Sequence, residues 1–310
     1  MPERILITGA AGFVGRHLLS ALRADMPDAA LLTPAQAACD ITDADAVAAL
    51  VEQARPTACV HLAAIAAIPT ARRDPHAAWR VNLDGTLNLA RALAAHAPEA
   101  TLLFVSSADI YGASFRAGHA VDESVAPAPL NTYAATKAAA DLALGALAAE
   151  SGLRCIRVRP FNHTGPGQSP DFVVAAFARQ VARIAAGLQP EVLRVGALEP
   201  RRDFLDVRDV CAAYVACLRR RDALPAGAIL NLASGHPRRI GEVLDTLLAR
   251  AGVRALIESE ASLLRPSDIL LAAGDATRAA RLLEWRPRIA WEQTIDDVLA
   301  DWRARVAAGE

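Results

Sequence analysis

The sequence has almost no lysine. Of its 33 Lys and Arg positions, Lys137 alone is lysine. A charge imbalance is missing too: the net charge is −1, which leaves no electrostatic footprint for nucleic acid or an anionic membrane. Any bound anion is then held by local donors. The apolar runs are short and broken by Arg, Asp or Pro, which excludes a membrane-spanning helix. Met1-Pro2-Glu3-Arg4 enters a strand-like run at once, without the layout of a signal peptide. Five cysteines, at 39, 59, 155, 211 and 217, show no Cys-x-x-Cys and no metal spacing. They read as reduced, buried thiols of a cytoplasmic protein without a metal site. No linker, repeat or low-complexity tract divides the 310 residues, a length that suits one large α/β domain or a domain with a smaller lobe.

A position that stays lysine in so arginine-rich a chain points to something arginine lacks. A compact ammonium can shift its proton or reach a hydroxyl as a point charge. Lys137 follows Tyr133 by four residues in Asn131-Thr132-Tyr133-Ala134-Ala135-Thr136-Lys137, so on a helix the two share a face. An ammonium beside a phenol favours the phenolate and brings tyrosine toward acid–base work near neutral pH. Alone, Tyr-x-x-x-Lys is a weak pattern, since one lysine has to be the last.

The first half alternates strand and helix signals. Arg4–Thr8 is a short apolar run, followed by Gly9-Ala10-Ala11-Gly12-Phe13-Val14-Gly15 and a helical stretch to Ala24. Strand, glycine turn and helix is the context of a dinucleotide site. Gly9 permits the tight turn, Gly12 the approach of backbone to a pyrophosphate, and Gly15 close packing of helix on strand. The helix N-terminus adds unpaired N–H groups. Further apolar runs at Ala29–Thr33, Ala58–Ala64, Thr101–Ser106 and Arg154–Arg159 alternate with helical patterns at Asp43–Gln53, Pro75–His96 and Asn131–Ser151. This predicts an α/β fold, a doubly wound parallel Rossmann sheet with a smaller, interleaved C-terminal substrate lobe. Ligands are expected at the C-terminal strand ends, where His61-Leu62-Ala63-Ala64, Ser106-Ser107 and Pro160-Phe161-Asn162-His163 fall. The residues after Leu32 include neither the acid expected for a ribose nor an arginine, so NADH and NADPH are not distinguished. Asp40-Ile41 is placed beside an adenine edge, or else Asp40 or Thr42 serves as a helix N-cap.

The glycine triplet, Ser107, Tyr133 and Lys137 together resemble the extended short-chain dehydrogenase/reductase family, also called the NAD-dependent epimerase/dehydratase family. The likeness runs from Ile5 to about Trp302. Within the family, Arg159-Pro160-Phe161-Asn162-His163-Thr164-Gly165-Pro166-Gly167-Gln168 is similar to the branch that reduces GDP-4-keto-6-deoxy-D-mannose, and to its GDP-mannose 4,6-dehydratase relatives. Arg202 to Val210 and Leu264-Arg265-Pro266-Ser267-Asp268 continue that likeness. The resemblance implies Ser107, Tyr133 and Lys137 as the catalytic trio. It implies cofactor contacts from Gly9, Gly12, Phe13, Val14, Gly15, Asp40, Ile41, Leu62, Ala63, Ala64, Asn82, Tyr133, Lys137 and Pro160. Substrate contacts would come from Ser107, Asn162, Arg179, Arg202, Arg265 and Asp268, with Arg202 and Arg265 clamping a diphosphate. Without the resemblance, those arginines read equally as surface ion-pair residues, and the helix face bearing Arg179 as solvated.

The implied reaction is NAD(P)H-dependent reduction of GDP-4-keto-6-deoxy-D-mannose to GDP-D-rhamnose. The alternatives on the same trio are a 4,6-dehydratase, a 4-epimerase and a reductase that forms GDP-6-deoxy-talose. A non-catalytic NAD(P)-binding sensor is more distant. Asp109 stands two positions after Ser107, where the dehydratases carry an acid, and keeps that alternative open. The cofactor part is expected at 1–160, re-entered near 204–218 and 229–233, and the sugar-nucleotide lobe at 161–203 and 234–310. The helices Trp79–His96 and Tyr133–Glu150 carry Ala and Leu on more than one face, which suits a homodimer contact.

Overall fold

The computed structural model describes residues 3–263 and 269–310. The first half runs β1 (Arg4–Thr8), α1 (Phe13–Asp25), β2 (Ala30–Leu32), α2 (Ala44–Ala54), β3 (Ala58–His61), α3 (Ile68–Arg73), α4 (Pro75–Trp79), α5 (Gly85–His96), β4 (Thr101–Val105), α6 (Thr132–Ser151) and β5 (Arg154–Pro160). The second half runs β6 (Asn162–Thr164), α7 (Val173–Ala185), β7 (Val192–Val195), β8 (Arg201–Asp206), α8 (Val207–Arg219), β9 (Ile229–Leu232), β10 (Pro237–Arg239), α9 (Ile240–Ala251), β11 (Leu256–Ser259), β12 (Leu271–Ala272), α10 (Thr277–Leu283) and α11 (Trp291–Ala307).

Six parallel strands form the main sheet in the order β2-β1-β3-β4-β5-β9. Alternation along β1 explains why both faces are covered. Ile5 and Ile7 join Leu18, Leu22 and Val210 on the face of α1 and α8, while Leu6 joins Val47, Leu89 and Leu144 on the face of α2, α5 and α6. Each large apolar side chain buried this way contributes about 1.5–3 kcal/mol. The strand order reverses between β1 and β3, which opens a crevice at their C-terminal ends.

Local signals set the helix ends. Asp43 caps α2 by accepting from the Asp45 and Ala46 N–H groups, and Asn131 caps α6 by accepting from Ala134 N–H at 2.9 Å. The helical stretch expected over Pro75–His96 is less regular than its periodicity suggests. Arg80–Asp84 forms a π turn between α4 and α5, an insertion that periodicity does not reveal.

The second lobe has its own core, in which α7, α9 and α11 pack around Phe204, Trp291 and Trp302. A small sheet, β10-β8-β12 with β6 against β8, joins it to the main domain. β8 belongs to this sheet, while Leu205 already joins the main core and α8 begins at Val207. Asp206 marks the change of direction by capping α8 through Arg208 N–H at 2.8 Å.

Candidate active site

The glycine turn links β1 to α1. Gly9 adopts φ +72°, and a Cβ there would lie 2.7 Å from Ala63 N, so a side chain would close the space between the turn and the loop after β3. Gly12 is the N-cap of α1 without a side-chain cap, leaving the first N–H groups of the helix to an incoming anion. Ser106, where β4 ends, has a buried Oγ with no partner among the described residues. A bare helix N-terminus and a cradle that tolerates no Cβ at the switch point, with an orphaned hydroxyl after β4 one strand further along, fit a dinucleotide. Phe13 begins α1 between two histidines, edge-on to His17 and stacked on His163 with centroids 6.3 Å apart. The Val14 carbonyl accepts from the Cys211 thiol at 3.7 Å. Asp40, placed by the sequence either at an adenine edge or as a cap, is exposed and accepts from Thr42 N–H at 2.9 Å. Ile41 fills the space above Gly85, where a Cβ would come within 2.7 Å of its Cγ1.

Ser107 ends the loop after β4 and accepts from Asp109 N–H at 3.1 Å. Its hydroxyl lies beside the Tyr133 phenol at the start of α6. The walls of the cleft desolvate that phenol and push its pKa well above the usual tyrosine value; the charge of Asp109 adds to the rise and Ser107 opposes it. This reverses the expectation from spacing. Lys137 shares the helix face, but its ammonium sits 4.5 Å over the Phe104 ring. Burial lowers the lysine to about 7, against the pull of Asp141 one turn further along α6.

Asp141 was not anticipated, although an acid four residues past Lys137 on one helix is a readable signal. Its fully buried carboxylate accepts from Arg159 Nε and a second Arg159 nitrogen, both at 3.0 Å, and from Arg157 at 3.2 Å. Arg159 continues to the Tyr111 hydroxyl at 3.0 Å, which donates to Asn231 Oδ1 at 2.7 Å. Buried bonds therefore join α6, β5, β9 and the segment after Ser107.

Asn82 sits in the π turn, buried, bracketing Ile65 through N–H and carbonyl contacts of 2.8 and 3.1 Å. Leu62 and Ala63 are tied to Thr8, Leu62 N–H to its carbonyl at 3.1 Å and Ala63 N–H to its hydroxyl at 3.3 Å; Ala64 follows, half-buried. Pro160 closes β5, paired with Leu232. Asn162 is exposed at the start of β6. Arg202 donates to the Arg201 and Ile269 carbonyls at 2.9 and 3.2 Å. Arg179 lies on α7. It lies by the chain end, where Arg305 first and Arg179 in addition hold the Glu310 carboxyl below its usual range. Helical periodicity locates α7 but cannot say which neighbour this side chain meets. Arg265 and Asp268 lie outside the described residues.

The chain belongs to the NAD dependent epimerase/dehydratase family, whose pattern it matches over residues 5–233. Among characterised relatives it is 38% identical to a GDP-6-deoxy-D-mannose reductase of Pseudomonas aeruginosa over 306 residues, 99% of each chain. It is 26% identical to a GDP-6-deoxy-D-talose 4-dehydrogenase of Aggregatibacter actinomycetemcomitans over 285 residues, 90% of this chain and 91% of that one. Its backbone superposes on the solved structure of RMD from Pseudomonas aeruginosa complexed with NADPH with a TM-score of 0.89, at 38% identity, covering 98% of this chain and 99% of that one.

Proposed function

We propose that the protein reduces the 4-keto group of GDP-4-keto-6-deoxy-D-mannose to GDP-D-rhamnose with NADPH or NADH. The observation that carries this reading is the arrangement of Tyr133 at the start of α6, with Ser107 beside it and Lys137 one turn on along the same helix; burial and the charge of Asp109 favour the protonated phenol. A protonated phenol is the form that donates to an alkoxide forming at a sugar carbon. The Ser107 hydroxyl is the second donor aimed at the same oxygen, and such donors act most strongly as charge develops there. The reduced nicotinamide, when bound, supplies the hydride. Lys137, on the same wall, is the ammonium suited to hold a ribose hydroxyl. The resemblance in sequence to the Pseudomonas reductase supports the choice of sugar nucleotide.

In this reading the crevice groups of β1, β3, Asn82 and Pro160 hold the cofactor, and Asn162 and Arg202 face the sugar nucleotide from the second lobe. The main sheet with its helices, including α8 and β9, is the cofactor part. Residues 161–203 and 234–310 are the substrate lobe, with β8 running between the two. Leu142 on α6 is 58% exposed and Trp79 is 38% exposed, which supports pairing of two copies through this wall. Five free, buried thiols support a cytoplasmic setting.

Asp109 favours a second reading. A carboxylate beside Tyr133 could serve the proton removal of a 4,6-dehydratase. Incubation with GDP-mannose and oxidised cofactor tests that reading, and a 4-keto product would establish it. For the first reading, freshly made GDP-4-keto-6-deoxy-D-mannose should discharge the reduced-nicotinamide absorbance near ~340 nm and give a product with the rhamno configuration by NMR. A talo product would assign the other hydride face.

A further inference from the structure

Thr8, His61 and Thr86 are buried at the centre of the molecule, and their hydrogen bonds read in one direction only. Thr86 Oγ1 donates to the Asn82 carbonyl at 2.7 Å. Toward His61 it therefore accepts, so His61 Nε2, 3.0 Å away, carries the ring proton. His61 Nδ1 is then an acceptor, and Thr8 Oγ1 donates to it at 2.6 Å. The Thr8 oxygen in turn receives Ala63 N–H at 3.3 Å. From Asn82 the chain of bonds continues, its amide giving a proton to Thr136 Oγ1 at 2.9 Å. Thr136 donates to the carbonyl of Tyr133 itself at 2.8 Å.

Each proton in this series is used once, so the tautomer is set by the surroundings. A neutral imidazole holds a donor and an acceptor on opposite edges of one rigid ring, spanning from β1 to α5 without a rotatable bond between them. Burial, with the charge of Lys137 acting in the same sense, lowers the pKa of His61 to about 3, so the ring keeps one donor and one acceptor.

We propose that His61 is a positioning residue: as the Nε2-protonated ring it registers the backbone of the dinucleotide crevice, at Thr8–Gly9 and Ala63, against the helix that carries Tyr133 and Lys137. What is kept in register, a hydride donor and a proton donor, rests on the reductase reading. The bonds themselves do not.

The test uses the full chain. Nitrogen-15 NMR of the histidine rings in the wild type should show a neutral Nε2–H ring that does not titrate between about pH 8 and about pH 5. Thr86→Val removes the acceptor at constant shape, and Thr86→Ser keeps it. The valine variant should lose about a hundredfold in kcat with the sugar-nucleotide KM nearly unchanged, and bind NADPH about fivefold more weakly; the serine variant should stay within about threefold of wild type. Should the valine variant fail to fold, Thr8→Val tests the other edge of the ring by the same readouts. A ring found as Nδ1–H or charged overturns the proposal. So does a valine variant that only melts earlier, with NADPH affinity and kcat per folded molecule intact. If the wild type does not turn over the keto sugar, the reductase reading fails. The tautomer and the NADPH affinities then still decide the role of His61.

Discussion

The two walls of the cleft hold their polar groups in different ways. On the main-sheet side, His61, Asn82, Lys137, Asp141 and Arg159 are buried, and their partners come from strands and helices far apart in sequence. On the lobe side, Asn162 is exposed and Arg202 is half-buried, donating to the Arg201 and Ile269 carbonyls. Buried, fully bonded groups are costly to disturb, whereas exposed ion pairs and loops contribute little to stability. The wall assigned to proton transfer is thus the more deeply buried, and the wall assigned to the sugar nucleotide the more exposed. Changes on the first should affect kcat and stability, and changes on the second should affect KM.

The largest effect is expected from Lys137→Arg. The larger, planar guanidinium replaces a buried ammonium that lies over Phe104, and turnover should fall by about a hundredfold or more while the chain stays folded. Near-normal turnover would remove the reason for a lysine there. Asp141→Asn leaves Arg157, Arg159 and Lys137 short of one buried negative charge, and should lower stability by about 3–5 kcal/mol in urea unfolding. A loss below 1 kcal/mol (roughly, the worth of an exposed pair) would show that the two walls do not differ as described. Gly9→Ala forces a Cβ toward Ala63 at positive φ, so NADPH titration should show about tenfold weaker binding. Arg202→Ala, on the more exposed wall, should raise the sugar-nucleotide KM about tenfold and leave kcat within about twofold. A fall in kcat instead would place Arg202 among the groups that act on the transition state.

The shallowest effect is in pH. Lys137 titrates near 7 in the folded cofactor-free chain and near its ordinary 10.5 when unfolded. Between those values the unfolded chain binds the extra proton, so this residue makes stability rise with pH across that window. Thermal melts should show Lys137→Met lacking that contribution, at most about 1.4 kcal/mol per pH unit. The buried thiols are common to both proteins and cancel in the difference. Identical slopes would mean that the lysine is not desolvated.

Features encoded by contiguous residues were legible in the sequence. The apolar runs mark the main-sheet strands to within a few residues, and the glycine turn lies where its motif predicts, because both depend on neighbours in the chain. Spacing also set Tyr133 and Lys137 on one helix face. It could not say that the ammonium would turn to Phe104, which lies on another strand, or that burial would raise the phenol instead of lowering it. The π turn that holds Asn82 leaves no periodic trace. The bonding of His61 was hidden for a related reason, since Thr8 and Thr86 are respectively 53 and 25 residues away. Arg179 shows the same limit on α7, where a helix pattern gives a face but not the element it meets.

The protonated phenol of Tyr133 is the centre of the account, and single-turnover oxidation of NADPH by GDP-4-keto-6-deoxy-D-mannose tests it most directly. With Tyr133→Phe, the account predicts a rate about a thousandfold below wild type, with binding of cofactor and sugar nucleotide unchanged. A phenylalanine variant that oxidises NADPH at close to the wild-type rate would contradict it.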